Sequence, residues 1–428
     1  MQLNKKQSYA FTQISMGKNL FITGPGGVGK SVLIHKIKEM FEDDTVFLAP
    51  TGIAAQNIKG STIHRTFKFP IGFLGHYQRT KVSKKAENIF GNDVVKRIVI
   101  DEISMVRADL FTAVDQVLRR VKKRNKPFGG IQVIVVGDFF QLPPVLNNST
   151  PEGKYFLQEF SSPFAFDCDS WNEAGFETIE LDQVMRQSDS QFINALNSIR
   201  QKDKNYAKNL DFLNNIGNKS IEVDEPLFLC STNKDAETIN QHHYEEVEGE
   251  EKLYTGVVDK QFKDFPVPIS LYLKEGCKVL ICANSQGDSE FFNGQTGVVT
   301  SLHDDYVMVQ LDGDDYPTKV DSNTWEEYDY DVVDGILNSS VVGTYRQLPI
   351  KLGYAVTIHK SQGLSLDNAV IYTGRGCFTH GQAYVALSRL RSLQGLHMMQ
   401  PVSLSEIIVD QRVRIFYEHN KTANLMNM

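Results

Sequence analysis

Five cysteines in 428 residues, at positions 168, 230, 277, 282 and 377, are too few and too scattered to form a recognisable metal or disulfide pattern. Because the sequence contains no C-x-x-C pair, we expect neither a structural zinc site nor a disulfide framework. Apolar runs long enough to cross a membrane are also missing, and the first residues do not resemble a secretory signal. These absences predict a protein of the cytoplasm or a similar reducing compartment, with no membrane partner.

A positive net charge, which is typical of proteins that bind nucleic acids, is missing as well. The chain carries 45 Lys and Arg against 52 Asp and Glu, which gives a formal net charge of −7. Eleven of those acids lie between His303 and Gly335 beside a single basic residue, Lys319, so that 44 basic and 41 acidic residues remain elsewhere. The total charge therefore gives no argument for a basic groove and does not exclude one.

What the sequence does contain is an alternation of short apolar runs and amphipathic stretches, which is typical of an α/β fold with parallel sheets. With 41% hydrophobic and 23% charged residues, a chain of this length should form two to four domains. The predicted strands are 20–23, 45–49, 97–100, 131–136, 178–181, 227–230, 369–373 and 396–399. Ligands bind at the carboxyl ends of such strands, so the residues that follow them are the first candidates for a site.

Two stretches interrupt this alternation. Residues 255–350 contain short strand-like runs with Asn-Gly and Asp-Gly turns at 293–294 and 312–313, which predicts a small β-barrel inserted into an α/β domain. Residues 68–92 form a second insertion, in which Arg79, Lys81, Lys84 and Lys85 are interspersed with aromatic residues. All eleven clustered acids lie in the predicted barrel, which makes it a poor surface for a phosphate backbone unless one face is spared.

The most informative segment is 24–31, GPGGVGKS, which directly follows an apolar run. It matches the phosphate-binding loop between a strand and a helix. In that loop, glycines turn backbone N–H groups toward the phosphates, Lys30 reaches the terminal phosphates and the Ser31 hydroxyl suits Mg²⁺. A glycine-rich turn without a ligand is the alternative, but it does not require a lysine and a serine at those places. The predicted nucleotide contacts are Gly24, Gly26, Gly27, Val28, Gly29, Lys30 and Ser31.

A second apolar run, 97–100, ends in two carboxylates, Asp101 and Glu102. Hydrolysis of a triphosphate needs one carboxylate to hold Mg²⁺ and another to polarise the attacking water. We assign Asp101 to the metal and Glu102 to the base. Two acids after a strand are a weak signal alone, and they gain weight from the phosphate loop about 70 residues earlier.

Three further residues are candidates for sensing the γ-phosphate. Gln141 follows the apolar run 131–136, and its amide can report the loss of the phosphate. Arg186 and Arg389 lie far downstream, where a second α/β unit can supply them as arginine fingers. The ordinary alternatives are a polar loop for Gln141 and surface salt bridges for the two arginines.

In their order and wording, these segments resemble the PIF (petite integration frequency) family of DNA helicases, in the RecD-like, 5′-to-3′ branch of helicase superfamily one. Residues 3–7 (LNKKQ) resemble the Q motif, whose glutamine contacts adenine, and 24–31, 101–105 and 137–144 resemble motifs I, II and III. Segments 49–55 and 61–67 are similar to the family's single-strand contact motifs. Segments 181–187 and 192–200 are similar to its own signature, and 353–364 and 381–389 to motifs V and VI.

The resemblance implies two RecA-like P-loop lobes with ATP hydrolysed between them. The first lobe is expected at 1–67 and 93–177 with a small wedge at 68–92, and the second at 178–254 and 351–428 with an SH3-like barrel at 255–350. Gln7, Gln362 and Gly363 join the predicted ATP-binding residues. The implied contacts with single-stranded DNA are Thr51, Gly52, Thr62, His64, Phe67, Asn233, Thr357, His359 and Lys360.

Hydroxyls, amides and one lysine suit phosphate binding without reading of sequence, and Phe67 is placed to stack on a base. A core position for Phe67 and purely structural roles for His64 and His359 are the alternatives.

We therefore expect an ATP- and Mg²⁺-dependent helicase. It would be a monomer that moves 5′ to 3′ on single-stranded DNA and opens tailed or forked duplexes in DNA repair, recombination or replication. The direction of travel is implied by the resemblance alone. Unwinding of RNA–DNA hybrids or G-quadruplexes stays open, because no residue indicates recognition of a 2′-OH. The alternative from another class is a nucleotide-switched ATPase that binds single-stranded DNA, or a translocase subunit of a larger complex.

Overall fold

The computed structural model describes residues 3–420 except 71, 148, 220–225, 261, 263–264, 286–290 and 334–335. The chain divides into two compact units. Unit 1 comprises Met1–Met185, Glu327–Val342 and Gln411–Met428, and unit 2 comprises Arg186–Glu326 and Gly343–Asp410. Each unit contains a parallel sheet, so the predicted α/β class is confirmed. Within the described residues, no helix is both long enough and apolar enough to span a membrane.

The parallel sheet of unit 1 places three functional segments side by side. Its strands are β1 (Leu20–Thr23), β2 (Thr45–Ala49), β3 (Ser61–Thr62), β4 (Arg97–Ile100), β5 (Gln132–Val136) and β6 (Glu177–Glu180). They pair in the order β3-β2-β4-β5-β1-β6. Strands β1, β2, β4 and β5 are buried along their whole length, as expected for strands covered on both faces. The carboxyl ends of β1, β4 and β5 are therefore neighbours at one edge.

The described residues of Met1–Met185 contain nine α-helices, and three of them pack apolar side chains on this sheet. The nine are α1 (Lys5–Ser15), α2 (Lys30–Phe41), α3 (Gly52–Asn57), α4 (Ile63–Phe67), α5 (His76–Thr80), α6 (Lys84–Phe90), α7 (Ala108–Lys122), α8 (Pro151–Glu159) and α9 (Asp169–Ala174). Apolar residues of α1, α2 and α3 share one buried cluster with β1, β2, β4 and β5. The insertion predicted at 68–92 contains the short helices α5 and α6, which contact α7.

Unit 2 combines a smaller parallel sheet with antiparallel ones. Its first elements are α10 (Ser190–Gln201), α11 (Tyr206–Gly217), β7 (Phe228–Cys230) and α12 (Asn233–Glu246). The inserted strands are β8 (Lys252–Thr255), β9 (Val257–Lys260), β10 (Ser270–Leu273), β11 (Lys278–Ile281), β12 (Thr296–Leu302), β13 (Tyr306–Leu311), β14 (Thr318–Asp321), β15 (Asn323–Val333), β16 (Ile336–Gln347) and β17 (Ile350–Leu352). The chain then forms β18 (Ala355–Thr357), β19 (Ala369–Tyr372), α13 (Gln382–Ser388), β20 (Leu396–Met398) and α14 (Gln411–His419).

The strand pairings separate the insertion from the lobe that carries it. Strands β18, β7, β19 and β20 pair in that order and in parallel. The inserted strands instead form antiparallel sheets, the largest in the order β14-β13-β12-β11-β17, with a buried apolar core of its own. An inserted β-domain within an α/β unit was expected at this place.

Two predicted boundaries of the second lobe are wrong, because long-range pairing decides them. Strand β6 pairs with β1, from Leu20 opposite Glu177 to Thr23 opposite Glu180, so residues 178–185 complete unit 1. Helix α14 also belongs to unit 1.

The end of the acidic stretch is also not part of the β-barrel unit in which the sequence predicts it. Residues 327–342 belong to unit 1, where Glu327 pairs with Arg65 and Asp329 pairs with Lys85. These ion pairs give part of the acidic stretch a bracing role within unit 1.

Candidate nucleotide and nucleic-acid sites

The predicted phosphate loop joins β1 to α2, which begins at Lys30. The Lys30 ammonium donates hydrogen bonds to the carbonyl oxygens of Gly24, at 2.7 Å, and of Pro25, at 2.9 Å. The φ angle of Gly24 is +137°, and a Cβ there would lie 2.1 Å from the carbonyl oxygen of Leu181. The loop therefore needs glycine at this position and curls around the ammonium group at the N-terminus of a helix.

The glutamine of the predicted Q motif ties α1 to this loop. Gln7 is buried and completes a capping box with Asn4, accepting from the Asn4 N–H through Oε1 at 2.9 Å. Its Nε2 donates to the carbonyl oxygen of Gly29 at 3.1 Å. A Cβ on Gly29, whose φ is +80°, would lie 2.6 Å from that Nε2. Gln7 and Gly29 thus determine each other's position, and the adenine contact of Gln7 stays a prediction.

Two carboxylates lie at the end of the neighbouring strand β4. Glu102 has a left-handed backbone (φ 49°, ψ 47°), and its N–H donates to Oδ1 of Asp101 at 2.9 Å. Burial and the charge of Glu102 raise the pKa of Asp101 to about 7, whereas the charge of Lys30 acts in the opposite direction. Two crowded carboxylates beside an ammonium group form a site that a divalent cation would relieve of repulsion. Hard oxygen donors of this kind suit Mg²⁺.

Gln141 lies in the turn after β5, at the same edge of the sheet. Its N–H donates to the carbonyl oxygen of Asp138 at 2.9 Å, and both residues are buried. Gly137 has a φ of +153°, and a Cβ there would approach the backbone nitrogen of Ile103 to 3.0 Å. The glycine lets this turn lie directly against the turn that carries Glu102. Lys30, Asp101, Glu102 and Gln141 are therefore held at one edge.

Unit 2 brings the two predicted arginine fingers together. Arg186 donates to the carbonyl oxygen of Ser388 at 3.0 Å, and the buried Arg389 donates to the carbonyl oxygen of Val385 at 3.1 Å. Burial and the charge of Arg389 lower the pKa of Arg186 to about 9. The charge of Arg389 acts against that of Arg186, and an anion beside the two groups would relieve this repulsion.

The turn after β18 carries the two other nucleotide candidates of this unit. Gln362 donates its backbone N–H to the carbonyl oxygen of His359 at 3.3 Å. Gly363 has a φ of +90°, and no described atom lies within 4 Å of the position of its missing Cβ.

A cleft of about 560 Å³ lies between α12, the inserted strand β10 and the segment β17–β18 of unit 2. Three predicted DNA contacts line it: Asn233 at the start of α12, Thr357 at the end of β18, and Lys360. Thr357 is buried and accepts from the Lys360 N–H through Oγ1 at 3.3 Å, whereas Asn233 and Lys360 are exposed. The cleft is an accessible place where these three residues meet.

Comparison with known proteins decides the family. Residues 2–225 match the family model described as PIF1-like helicase. The ATP-dependent DNA helicase Pif1 of Bdellovibrio bacteriovorus is 31% identical over 431 residues, which cover 98% of this chain and 92% of the relative. The chain belongs to the PIF1-like helicase family.

Similarity to other members of the family extends over nearly the whole of this PIF1-like helicase. It is 33% identical to the human ATP-dependent DNA helicase PIF1 over 97% of its own length but spans only 63% of the human protein. The crystal structure of Bacteroides sp Pif1 in complex with ADP-AlF4 superposes with a TM-score of 0.89 at 32% identity and covers 99% of this chain and 98% of that one. Another structure of Bacteroides Pif1, in complex with ADP-AlF3 and ssDNA, has a TM-score of 0.70 with the same coverage.

One predicted DNA contact of this PIF1-like helicase is wrong. Phe67 is 1% exposed, and its ring stacks on those of Phe69 and Phe90 at centroid distances of 5.3 and 5.1 Å. The ring is buried because the insertion 68–92 folds back over the end of α4. The alternative from the sequence, a core position for Phe67, is the correct one.

The remaining contacts predicted in unit 1 lie at the starts of α3 and α4. The Thr51 and Thr62 hydroxyls cap these helices, and Gly52 is buried. Burial lowers the pKa of His64 in unit 1, as it does that of His359 in unit 2. Both histidines are therefore neutral at pH 7 and offer hydrogen bonds rather than charge. Their contacts with DNA stay predictions.

Among the cleft residues that no sequence motif indicates are Tyr272 and Lys351, both contributed by the inserted strands. Strand β10 alternates exposed and buried residues, and Tyr272 is 47% exposed. Alternation in 270–273 was the available signal, since it leaves one aromatic ring on the solvent side. The inserted domain thus presents a face that the clustered acids do not occupy, although Glu237 and Glu251 also line the cleft.

Proposed function

We propose that this PIF1-like helicase uses ATP to move 5′ to 3′ along single-stranded DNA and to separate duplex DNA. The proposal depends most on one observation: Lys30 follows β1 and the Asp101–Glu102 pair follows β4, so that both lie at the carboxyl edge of one sheet. An ammonium group and two carboxylates at a phosphate loop are what triphosphate hydrolysis requires.

Each residue of the nucleotide site has a role in this proposal. The loop N–H groups and Lys30 bind the phosphates, and Glu102 orients and deprotonates the attacking water. Ser31 and Asp101 would hold Mg²⁺, which when bound supplies positive charge to the phosphate oxygens. Arg186 and Arg389 are proposed to stabilise the charge on the transferred phosphoryl group, and Gln141 to respond to the presence of the γ-phosphate.

The cleft of unit 2 is proposed as part of the track for single-stranded DNA. Asn233, Thr357 and Lys360 supply an amide, a hydroxyl and an ammonium group, which bind phosphates without reading bases. The ring of Tyr272 offers a stacking surface that accepts any base. The Bacteroides relative has been crystallised with ADP-AlF3 and ssDNA, which supports single-stranded DNA as the ligand.

We further infer that the substrates are tailed or forked duplexes and that the protein acts as a monomer in the cytoplasm, in repair, recombination or replication. A related structure, 32% identical, concerns the unwinding of forked dsDNA by two coordinating Pif1 helicases, so a second copy on the fork is the alternative to a monomer.

Strand separation on duplexes that carry either a 5′ or a 3′ single-stranded tail tests this function, with ATP, Mg²⁺ and a Lys30→Ala control. We expect opening of the 5′-tailed duplex only, and none by Lys30→Ala. Opening of the 3′-tailed duplex alone would contradict the proposed direction. ATP hydrolysis stimulated by DNA without strand separation would favour the nucleotide-switched ATPase or translocase subunit. Replacing one strand with RNA shows whether hybrids are substrates.

A further inference from the structure

Helix α14 places a tyrosine hydroxyl between two strands of the nucleotide site. The helix belongs to unit 1, although it follows unit 2 in the sequence. The Tyr417 hydroxyl lies 2.6 Å from Oγ1 of Thr23, 394 residues earlier, and accepts from the Phe139 N–H at 3.2 Å. It also lies 3.4 Å from Oδ1 of Asp138. Tyr417 lies outside every motif named above, so the sequence does not indicate these contacts.

The three partners occupy adjacent strand ends. Thr23 is the last residue of β1, directly before the phosphate loop, and is fully buried. Asp138 and Phe139 open the turn after β5, which pairs with β1 up to Ile22 opposite Val136. The hydroxyl therefore bridges the strand that leads into the phosphate loop and the turn that leads to Gln141.

One arrangement of hydrogens satisfies these three contacts of the hydroxyl. It accepts from the Thr23 hydroxyl and from the Phe139 N–H, and it donates to the Asp138 carboxyl group, which uses its single proton and both lone pairs. The Asp138 carboxyl group also accepts from the Phe140 N–H at 3.2 Å. Tyr417 thus completes the hydrogen bonding of the turn from outside.

Aromatic packing fixes the tyrosine ring independently of its hydroxyl. The ring stacks on Phe140 at a centroid distance of 4.6 Å and an interplanar angle of 22°. The preceding residue, Phe416, stacks on Phe166 at 4.4 Å. A phenylalanine at 417 would keep the stacking and lose only the hydrogen bonds.

We propose that Tyr417 is a positioning residue of the ATPase site, which sets the turn carrying Gln141 against the strand that enters the phosphate loop. This inference rests on the proposed function, because it assigns Gln141 a role in hydrolysis. A hydroxyl that links both strand ends keeps Gln141 in the position where it senses the γ-phosphate.

ATP turnover in the presence of single-stranded DNA tests the proposal. We expect Tyr417→Phe to lower kcat about tenfold, with KM for ATP changed by less than about twofold and a melting temperature within about 2 °C of the wild type. The packing control, Phe416→Leu, should lower the melting temperature and keep kcat. Adding Thr23→Val to Tyr417→Phe should lower kcat by less than the two separate effects combined, because both changes remove the same Thr23–Tyr417 hydrogen bond.

Two results would overturn the role of Tyr417. The first is a kcat of Tyr417→Phe equal to that of the wild type. The second is a fall in both kcat and melting temperature of Tyr417→Phe that Phe416→Leu reproduces. Failure of the proposed function looks different: the wild-type protein itself would then hydrolyse no ATP, and the positioning role would fall with it.

Discussion

At the carboxyl edge of the unit 1 sheet, Gln7, Asp138 and Gln141 are buried and held by backbone contacts, whereas Asn233, Lys360 and Tyr272 in the unit 2 cleft present exposed side chains. The difference follows from the proposed tasks. Hydrolysis requires groups fixed where charge develops, because preorganised groups need no rearrangement during reaction. Binding of single-stranded DNA must tolerate every base and release each one, which exposed and adaptable side chains allow.

Replacing the proposed base, Glu102, should show the largest difference between the effect on ATP hydrolysis and the effect on DNA binding. We expect Glu102→Gln to lower kcat for ATP about a hundredfold to a thousandfold, because an amide cannot accept the proton of water. Affinity for single-stranded DNA, measured by fluorescence anisotropy, should stay within about twofold. Glu39→Gln, which changes an exposed partner of Lys36, is the matched control and should behave as the wild type. Full turnover by Glu102→Gln would remove Glu102 from its assigned role.

A change in the phosphate loop should affect nucleotide affinity less severely. Gly29→Ala places a Cβ 2.6 Å from Nε2 of Gln7 at a φ of +80°, so we expect KM for ATP to rise about tenfold. Gly17 offers a control with nearly the same φ, +79°, and no described atom within 4 Å of its missing Cβ. Gly17→Ala should share the backbone strain and keep KM. Equal values of KM in both variants would show that the contact with Gln7 does not matter.

A substitution in the cleft should change the salt dependence of DNA affinity rather than the rate of ATP turnover. We expect Lys360→Gln to weaken binding of single-stranded DNA several-fold at low salt and to reduce the slope of log affinity against log salt by about 0.7, the value for one phosphate contact. Lys208→Gln, on α11 outside the cleft lining, controls for a general loss of charge. An unchanged slope in Lys360→Gln would exclude this lysine from phosphate binding.

A substitution of Phe67 should have the smallest effect on DNA binding. Comparing its effects on stability and on DNA affinity shows whether Phe67 is a core residue or a DNA contact. Phe67→Leu should lower the free energy of unfolding by about 1–2 kcal/mol, because it leaves space beside Phe69 and Phe90. Its affinity for single-stranded DNA should equal that of the wild type. A selective loss of DNA affinity at unchanged stability would restore the stacking interpretation.

The sequence predicted best what short segments determine. The phosphate loop and the Asp101–Glu102 pair are recognisable because their glycines, lysine and carboxylates lie within a few residues of one another. The strands 20–23, 45–49 and 97–100 match β1, β2 and β4 in both bounds. In each case, the apolar run and the residue that ends it are adjacent in the chain.

Features that depend on distant pairing escaped the sequence analysis. Strand β6 was placed in the second lobe because nothing within 177–180 shows that it pairs with β1. Phe67 is an aromatic residue in a contact motif, and its burial depends on the insertion that follows. Tyr417 lies outside every motif and reaches Thr23 only through the return of α14 to unit 1.

In an ATP-driven motor, the nucleotide bound at one site must change the affinity of the other site for single-stranded DNA. Here separate units carry most residues of the nucleotide site and of the DNA cleft. Affinity for single-stranded DNA should be measured without nucleotide, with ADP and with ADP-AlF4, on the wild type and on Lys30→Ala. We predict that the wild-type affinity differs at least about fivefold between nucleotide states, the lower end of typical coupling, and that Lys30→Ala removes the difference. Equal wild-type affinities in all three states would mean zero coupling and would contradict an ATP-driven motor.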